Sequence, residues 1–166
     1  MSTFLVTPDL SLEHEFLALY EEYSQAGEQE WCAAVNEAQI NFPSYIGRLH
    51  DEAIGKGISS DWAPTSHFWF MANGRLIGTL RIRHYLTPAV EERAGHIGYD
   101  ISPFHRGLGY GHQILALAID KIRELGIREA LAICDQNNAP SKRILEKAGG
   151  VITKIKNGEI WYILKS

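Results

Sequence analysis

Gly107, Gly109 and Gly111 stand at alternate positions within residues 101–112, where a short apolar run passes through a loop into an amphipathic stretch. Lacking Cβ atoms, they let a ligand reach the main chain, and the helix they open begins with N–H groups that have no partner inside the helix. Those donors and the positive end of the helix dipole attract phosphate oxygens. The chemistry expected of this stretch is the capture of a diphosphate by backbone amides. Arg106, just before the first glycine, either adds a charge-assisted bond or serves as a solvated loop cation.

The elements that must position this loop can be read from period and punctuation. Residues 3–6 suit a first strand. Leu12, Phe16, Leu19, Tyr20 and Tyr23 recur at helical spacing, with Glu13 and Glu15 in the first turn, and this helix ends near Gly27. A second helix follows Pro43, with Ile46, Leu49, Ala53 and Ile54 on one face and Gly55 and Gly57 at its end. Residues 28–42 and 58–66 show no clear period. Residues 67–72 and 75–84 flank Asn73 and Gly74, a dipeptide suited to a type I′ hairpin turn. A polar connection, residues 87–94, leads to a strand over residues 95–101, in which Ile97, Tyr99 and Ile101 alternate with Gly98 and Asp100.

Beyond the loop, Ile114, Leu115, Ala118, Ile119 and Ile122 form a helical stripe that stops at Gly126. Residues 129–135 read as a buried strand. Asn138 suits the cap of a short helix with Pro140 in its first turn, Ile144, Leu145 and Ala148 facing the core, and Gly149 and Gly150 ending it. Two last strands, residues 151–155 and 160–164, join through Asn157 and Gly158. No internal repeat or linker interrupts this order. With 166 residues, 45% of them hydrophobic, the chain has the size of a single domain over residues 1–166.

A strand, glycine loop, helix and strand ending in Asp135 is also the order of a dinucleotide-binding unit. Here His112 stands where that fingerprint has its third glycine, a hairpin precedes the unit, and only two strands follow it, whereas a doubly wound sheet needs several alternating units. A phosphate-binding P-loop fits less well, because no Lys-Ser or Lys-Thr follows the glycines.

Arg106, Gly107, Leu108, Gly109, Tyr110 and Gly111 resemble the R/Q-x-x-G-x-G/A motif of the GNAT superfamily of acyl-CoA-dependent N-acetyltransferases, and Ile101, Ser102 and Pro103 resemble the end of its preceding strand. Downstream, Asn138, Ala139, Pro140 and Ser141, followed by Glu146, Lys147, Ala148, Gly149 and Gly150, are similar to the second signature of that superfamily. The likeness runs from about Trp69 to Leu164. It implies an α/β fold with a mixed, mostly antiparallel central sheet flanked by helices and splayed between its fourth and fifth strands. Acetyl-CoA is the implied cosubstrate. Its pantetheine arm would pair with main-chain groups near Ile101 and Ser102 as an added strand would. Its diphosphate would rest on the N–H groups of residues 106–111, with His112 in the first helical turn. Asn138 either caps its helix or also touches the coenzyme, and Ser141 reaches a phosphate or only the backbone.

The implied reaction is acetyl transfer to a primary amine of a small molecule or peptide, by direct attack in a ternary complex. An alkylamine with a pKa of ~10 is protonated about a thousandfold over at neutral pH, so a base must remove a proton. His96 and Asp100 share a strand face by their even spacing and are the candidates, although either also suits a merely polar surface. The superfamily commonly supplies an acid from a Tyr two residues before the Lys of its second signature. Here that position is Leu145. Ser141, Tyr110 or Tyr162 would have to stand in, or the chain would be a non-catalytic acyl-CoA sensor. A nicotinamide-dependent oxidoreductase is the more distant alternative. The acceptor would be chosen by the first helices, by Trp31, Trp62 and Trp69 if they are not simply core anchors, and by Arg81 and Arg83, whose shared strand face suits an acceptor carboxylate.

A formal charge of −4 and a pI near 6.0 argue against nucleic acid as the main partner. No segment approaches the ~20 apolar residues needed to span a bilayer, and no secretory signal opens the chain. Cys32 and Cys134 are too few for a disulfide framework, which fits the cytoplasm. The histidines form no metal-ligand cluster. A homodimer is left open.

Overall fold

The computed structural model describes residues 2–166. Its elements are β1 (Thr3–Val6), α1 (Glu13–Gln25), α2 (Gln29–Ala34), α3 (Glu37–Ile40), α4 (Phe42–Ala53), β2 (Thr65–Ala72), β3 (Arg75–Arg83), α5 (Pro88–Arg93), β4 (Ile97–Ile101), α6 (Tyr110–Glu124), β5 (Glu129–Asp135), α7 (Ala139–Lys147), β6 (Val151–Lys156) and β7 (Glu159–Lys165). The seven strands form one sheet in the order β1-β2-β3-β4-β5-β7-β6. Every neighbouring pair is antiparallel except β4 and β5. This is the expected mixed, mostly antiparallel sheet and not the doubly wound parallel sheet of a dinucleotide-binding protein.

Local chemistry sets the turns. Asn73 and Gly74 take φ of 51° and 74°, and Asn157 and Gly158 take 52° and 79°, the paired left-handed conformations that match a tight hairpin to strand twist. The segment 28–42, without a readable period, folds as the short helices α2 and α3, each of which sends one small residue, Cys32 or Ala38, into the core. The connection 87–94 is α5 and not a loop. Thr87 Oγ1 accepts from the Val90 N–H at 3.1 Å, Pro88 fills the first turn, and Val90 alone is buried. Six residues with one apolar anchor are too few to display a helical period.

Alternation along the strands divides the core in two. On one face Phe70, Leu80, Ile82, Ile97 and Ile101 pack with Ile114, Leu115 and Ala118 of α6 and with Leu145 of α7. On the other, Trp69, Met71 and Leu76 pack with Phe16, Leu19 and Tyr23 of α1 and with Tyr45, Ile46 and Leu49 of α4. The sheet therefore sits between α6 and α7 on one side and the α1–α4 group on the other, and β4 runs between them.

Candidate active site

β4 and β5 are in register only at Ile97 and Ala132. Before that rung the strands are clamped tightly. Gly95 bridges to Ala132, and the His96 N–H donates to the Leu131 carbonyl at 2.8 Å. After it, residues 98–101 have no partner on β5, so the strands splay. By the two-residue period, the main-chain groups of Tyr99 and Ile101 face the opened gap. The gap leads to the glycine loop. Gly107 and Gly109 take φ of 75° and 86°, and a Cβ on either would meet nothing within 4 Å.

The start of α6 differs from those of α4 and α7. Asn41 caps α4 through the Ser44 N–H at 3.1 Å and Asn138 caps α7 through the Ser141 N–H at 3.2 Å. The N-cap of α6 is Gly109, which has no side chain to offer. Residues 106–109 are exposed. The exposed loop thus leads into the uncapped start of a 15-residue helix with the dipole behind it, which is the donor set that phosphate oxygens need.

Residues expected to bind coenzyme divide by what their side chains do. Leu108 and His112 are exposed, while Tyr110 is buried against Phe70 with ring centroids 6.1 Å apart, so only its main chain belongs to the loop. At Gly111 an added Cβ would overlap Ile144 Cδ1, so α6 approaches α7 closely there. Arg106 turns back. Its Nε donates to the Ile101 carbonyl at 3.0 Å and its Nη2 pairs with Glu28 at 2.9 Å, so its charge ties the loop to the strand end and to the α1–α2 connection. Ser102 is wholly buried, its N–H donating to the Ile77 carbonyl and its hydroxyl to Glu22. It builds the end of the strand.

The three residues expected to catalyse are not brought together. His96 is 6% exposed, and its Nδ1 accepts the Leu131 N–H at 2.9 Å. Burial, and secondarily the charge of Arg83, hold its pKa below the usual histidine value, so it is a neutral imidazole whose acceptor nitrogen is already used. Tyr162 is enclosed in the core and donates to Glu146 at 2.9 Å; burial and that carboxylate push its phenol up to about 12. Asp100 is accessible. Its carboxylate accepts from Arg81 at 2.8 Å and lines a cavity of about 250 Å³ with Trp31, Tyr45, His67, Thr79 and Arg81. It also borders a second opening beside Tyr23, Glu28 and Arg106.

The Acetyltransferase (GNAT) family matches residues 16–150. The chain belongs to this family. No curated protein sequence matches it. Among solved structures, Mycobacterium smegmatis RimJ in complex with CoA-disulfide is similar with a TM-score of 0.74 and 18% identity, over 99% of this chain and 82% of that one. The ribosomal-protein α-N-acetyltransferase RimL in complex with coenzyme A gives 0.71 and 17%, over 99% and 94%. The microcin self-immunity acetyltransferase MccE in complex with acetyl-CoA and AMP gives 0.70 and 18%, over 99% and 92%. At these identities the likeness is one of fold.

Within the GNAT fold, three contributors were not apparent from the sequence. Tyr99 reaches from β4 across the splay, and its hydroxyl lies 3.3 Å from Ser141 Oγ. Glu22 of α1 gathers Ser102, Arg75 at 2.5 Å and His105 at 3.5 Å, and so fixes where β4 ends. Glu28 receives Arg106. Each joins residues far apart in sequence, and only the even spacing of Tyr99 with Ile97 and Ile101 pointed toward the first of them.

Proposed function

We propose that the chain transfers the acetyl group of acetyl-CoA to a primary amine of a small molecule or peptide, by direct attack in a ternary complex. The observation that carries this reading is the continuity of the β4–β5 splay with the glycine-rich, uncapped start of α6. Open strand-edge amides run directly into open helix-end amides, which is the shape needed to hold a long arm ending in a diphosphate. Bound there, acetyl-CoA supplies an acetyl group activated as a thioester.

The chain's own residues would do the rest. Main-chain groups of Tyr99 and Ile101 align the arm, and the N–H groups of residues 106–111, with His112 beside them, receive the diphosphate. Arg106 keeps the loop at its distance from Ile101. Asn138 holds the start of α7, which presents Ser141 to the gap. On the α1–α4 face Asp100 accepts the amine proton, directly or through water, with Arg81 fixing its carboxylate. Trp31 and Tyr45 wall the cavity against bulk solvent. On the opposite face Tyr99 holds a proton at its Oη, where a departing thiolate needs one. Burial raises its pKa, so the phenol stays protonated at neutral pH. Asp100 and Tyr99 are consecutive, and strand alternation sends base and acid to opposite sides of one backbone.

Leu145, which the sensor alternative rests on, is buried in the core. The Tyr99–Ser141 pair supplies hydroxyls that this position lacks, and so favours turnover. The test is thermal stabilisation by acetyl-CoA against NADH, followed by thiol release across amines, amino acids and peptides. Stabilisation by NADH alone would overturn the proposal. Stabilisation by acetyl-CoA with no release on any acceptor would favour a sensor.

A further inference from the structure

Arg83 is the guanidinium that the acetyl-transfer reading does not use. Its Nε is out of reach of solvent and has no hydrogen-bond partner, and among the described residues no carboxylate forms an ion pair with it. The hydrogen bond its guanidinium does make is a long one, from Nη1 to the Gly95 carbonyl at 3.4 Å. A charged donor buried without a partner opposes folding. The neighbouring acids are engaged elsewhere: Asp100 with Arg81 at 2.8 Å, Asp61 with Arg93 at 3.4 Å, and Glu52 with His67 and Arg48.

A second like charge is held beside it. Arg81 and Arg83 project from the same face of β3, and both lie over Gly98, which is opposite Arg81 in β4. A Cβ at Gly98 would stand 3.0 Å from Arg81 Nη2, 3.2 Å from Arg81 Nε and 3.3 Å from Arg83 Nη1. The missing side chain lets two guanidiniums settle onto one strand. Trp62 backs the arrangement, with its ring 5.8 Å from the Arg83 guanidinium carbon. Arg81 spends Nη1 on Asp100 and Thr79, which leaves its Nε and Nη2 edge toward Arg83. Two cations share a glycine floor, one of them without a counter-ion and the other lining the cavity beside Asp100, a pairing whose chemistry suits an oxyanion.

We infer that the Arg81–Arg83 pair over Gly98 seats an anionic group of the acceptor, so that the amine acetylated beside Asp100 belongs to a molecule that also carries a carboxylate or phosphate a few bonds away. This inference rests on the acetyl-transfer reading of the same site. Asp100 accepts from Arg81 Nη1 at 2.8 Å, so the base and the anion-binding edge meet at one guanidinium and the amine and anion need be only a few bonds apart. Arg81 orients both the base and the anion, whereas Arg83 acts on the anion alone.

The test compares acceptors with and without the anion, each kcat/KM expressed per unprotonated amine: glycine with glycinamide, and O-phosphoethanolamine with ethanolamine, which separates the carboxylate and phosphate arms. The expected result is a kcat/KM higher by about 10- to 100-fold for the anionic member of at least one pair, the value of a charge-assisted contact, with that preference removed in Arg83→Met. Affinity for acetyl-CoA should be the same in Arg83→Met as in the parent, which separates loss of the anion preference from loss of the coenzyme. A readout that needs no turnover is the Arg83 Nε–Hε resonance in the CoA complex. It should shift saturably with glycine or O-phosphoethanolamine and stay still with ethanolamine. Equal rates for charged and neutral acceptors, or a resonance that neither anion moves, would overturn the inference and leave the transferase intact. Absence of acetyl-CoA binding would instead defeat the transferase reading itself.

Discussion

His96 and Leu131 exchange two hydrogen bonds, the His96 N–H to the Leu131 carbonyl at 2.8 Å and the Leu131 N–H to His96 Nδ1 at 2.9 Å. A side chain thus completes the ladder where β4 meets β5. Protonating Nδ1 would set two donors against each other. The folded-state pKa lies below the unfolded value because of burial and the nearby Arg83 charge, so the unfolded chain binds more protons as pH falls through about 6.5. Stability is then lost toward acid and is fully present above that value. His96→Asn keeps an acceptor of similar reach and removes the titration. Its melting temperature should fall less between pH 7.5 and 5.5 than that of the parent; parallel curves would refute the account.

Gly109→Glu should abolish acetyl-CoA binding by isothermal titration. The site of the new side chain is open, so the fold has room for it, but a φ of 86° charges about 1–2 kcal/mol to any residue with a Cβ. Gly109→Ala carries the same strain without the charge. A Glu variant that melts like the Ala variant and still binds would remove the diphosphate from this loop.

Tyr99→Phe should lower kcat by about 100-fold or more with little change in the KM for acetyl-CoA, as expected for loss of one proton donor. Ser141→Ala should fall between parent and Tyr99→Phe. Because burial raises the Tyr99 pKa, the rate should climb with pH as the acceptor amine deprotonates and show no descending limb below about pH 10. A limb near neutrality would point to another acid.

Asp100→Asn should cut kcat/KM by about 100- to 10,000-fold at neutral pH, and the deficit should shrink toward alkaline pH as the amine arrives unprotonated. A deficit independent of pH would make Asp100 a positioning group for Arg81 alone.

What the sequence revealed and what it hid follow from the range over which each feature is determined. Asn73 with Gly74 and Asn157 with Gly158 set their turns within two residues, and both turns formed as the dipeptides require. The apolar stripe of α6 and the run of β5 are likewise local. Gly111 also lies against Ile144, on another helix, a contact that no local pattern shows. His96 had the pKa of a base until Leu131 took its nitrogen. Tyr99 was a core-pattern residue until Ser141, 42 positions away, met its hydroxyl. Short helices such as α5, anchored by one buried valine, carry too little pattern to be seen.

The single rung between Ile97 and Ala132 makes the sheet mechanically two ladders, β1 to β4 and β5 to β7 with β6, sutured at one end. A ligand lying in the seam would act as the missing slat and make the two halves one cooperative body. Amide exchange along β4 and β5 should then slow together when acetyl-CoA is added, while β1, β2 and β6, far from the seam, keep their own rates.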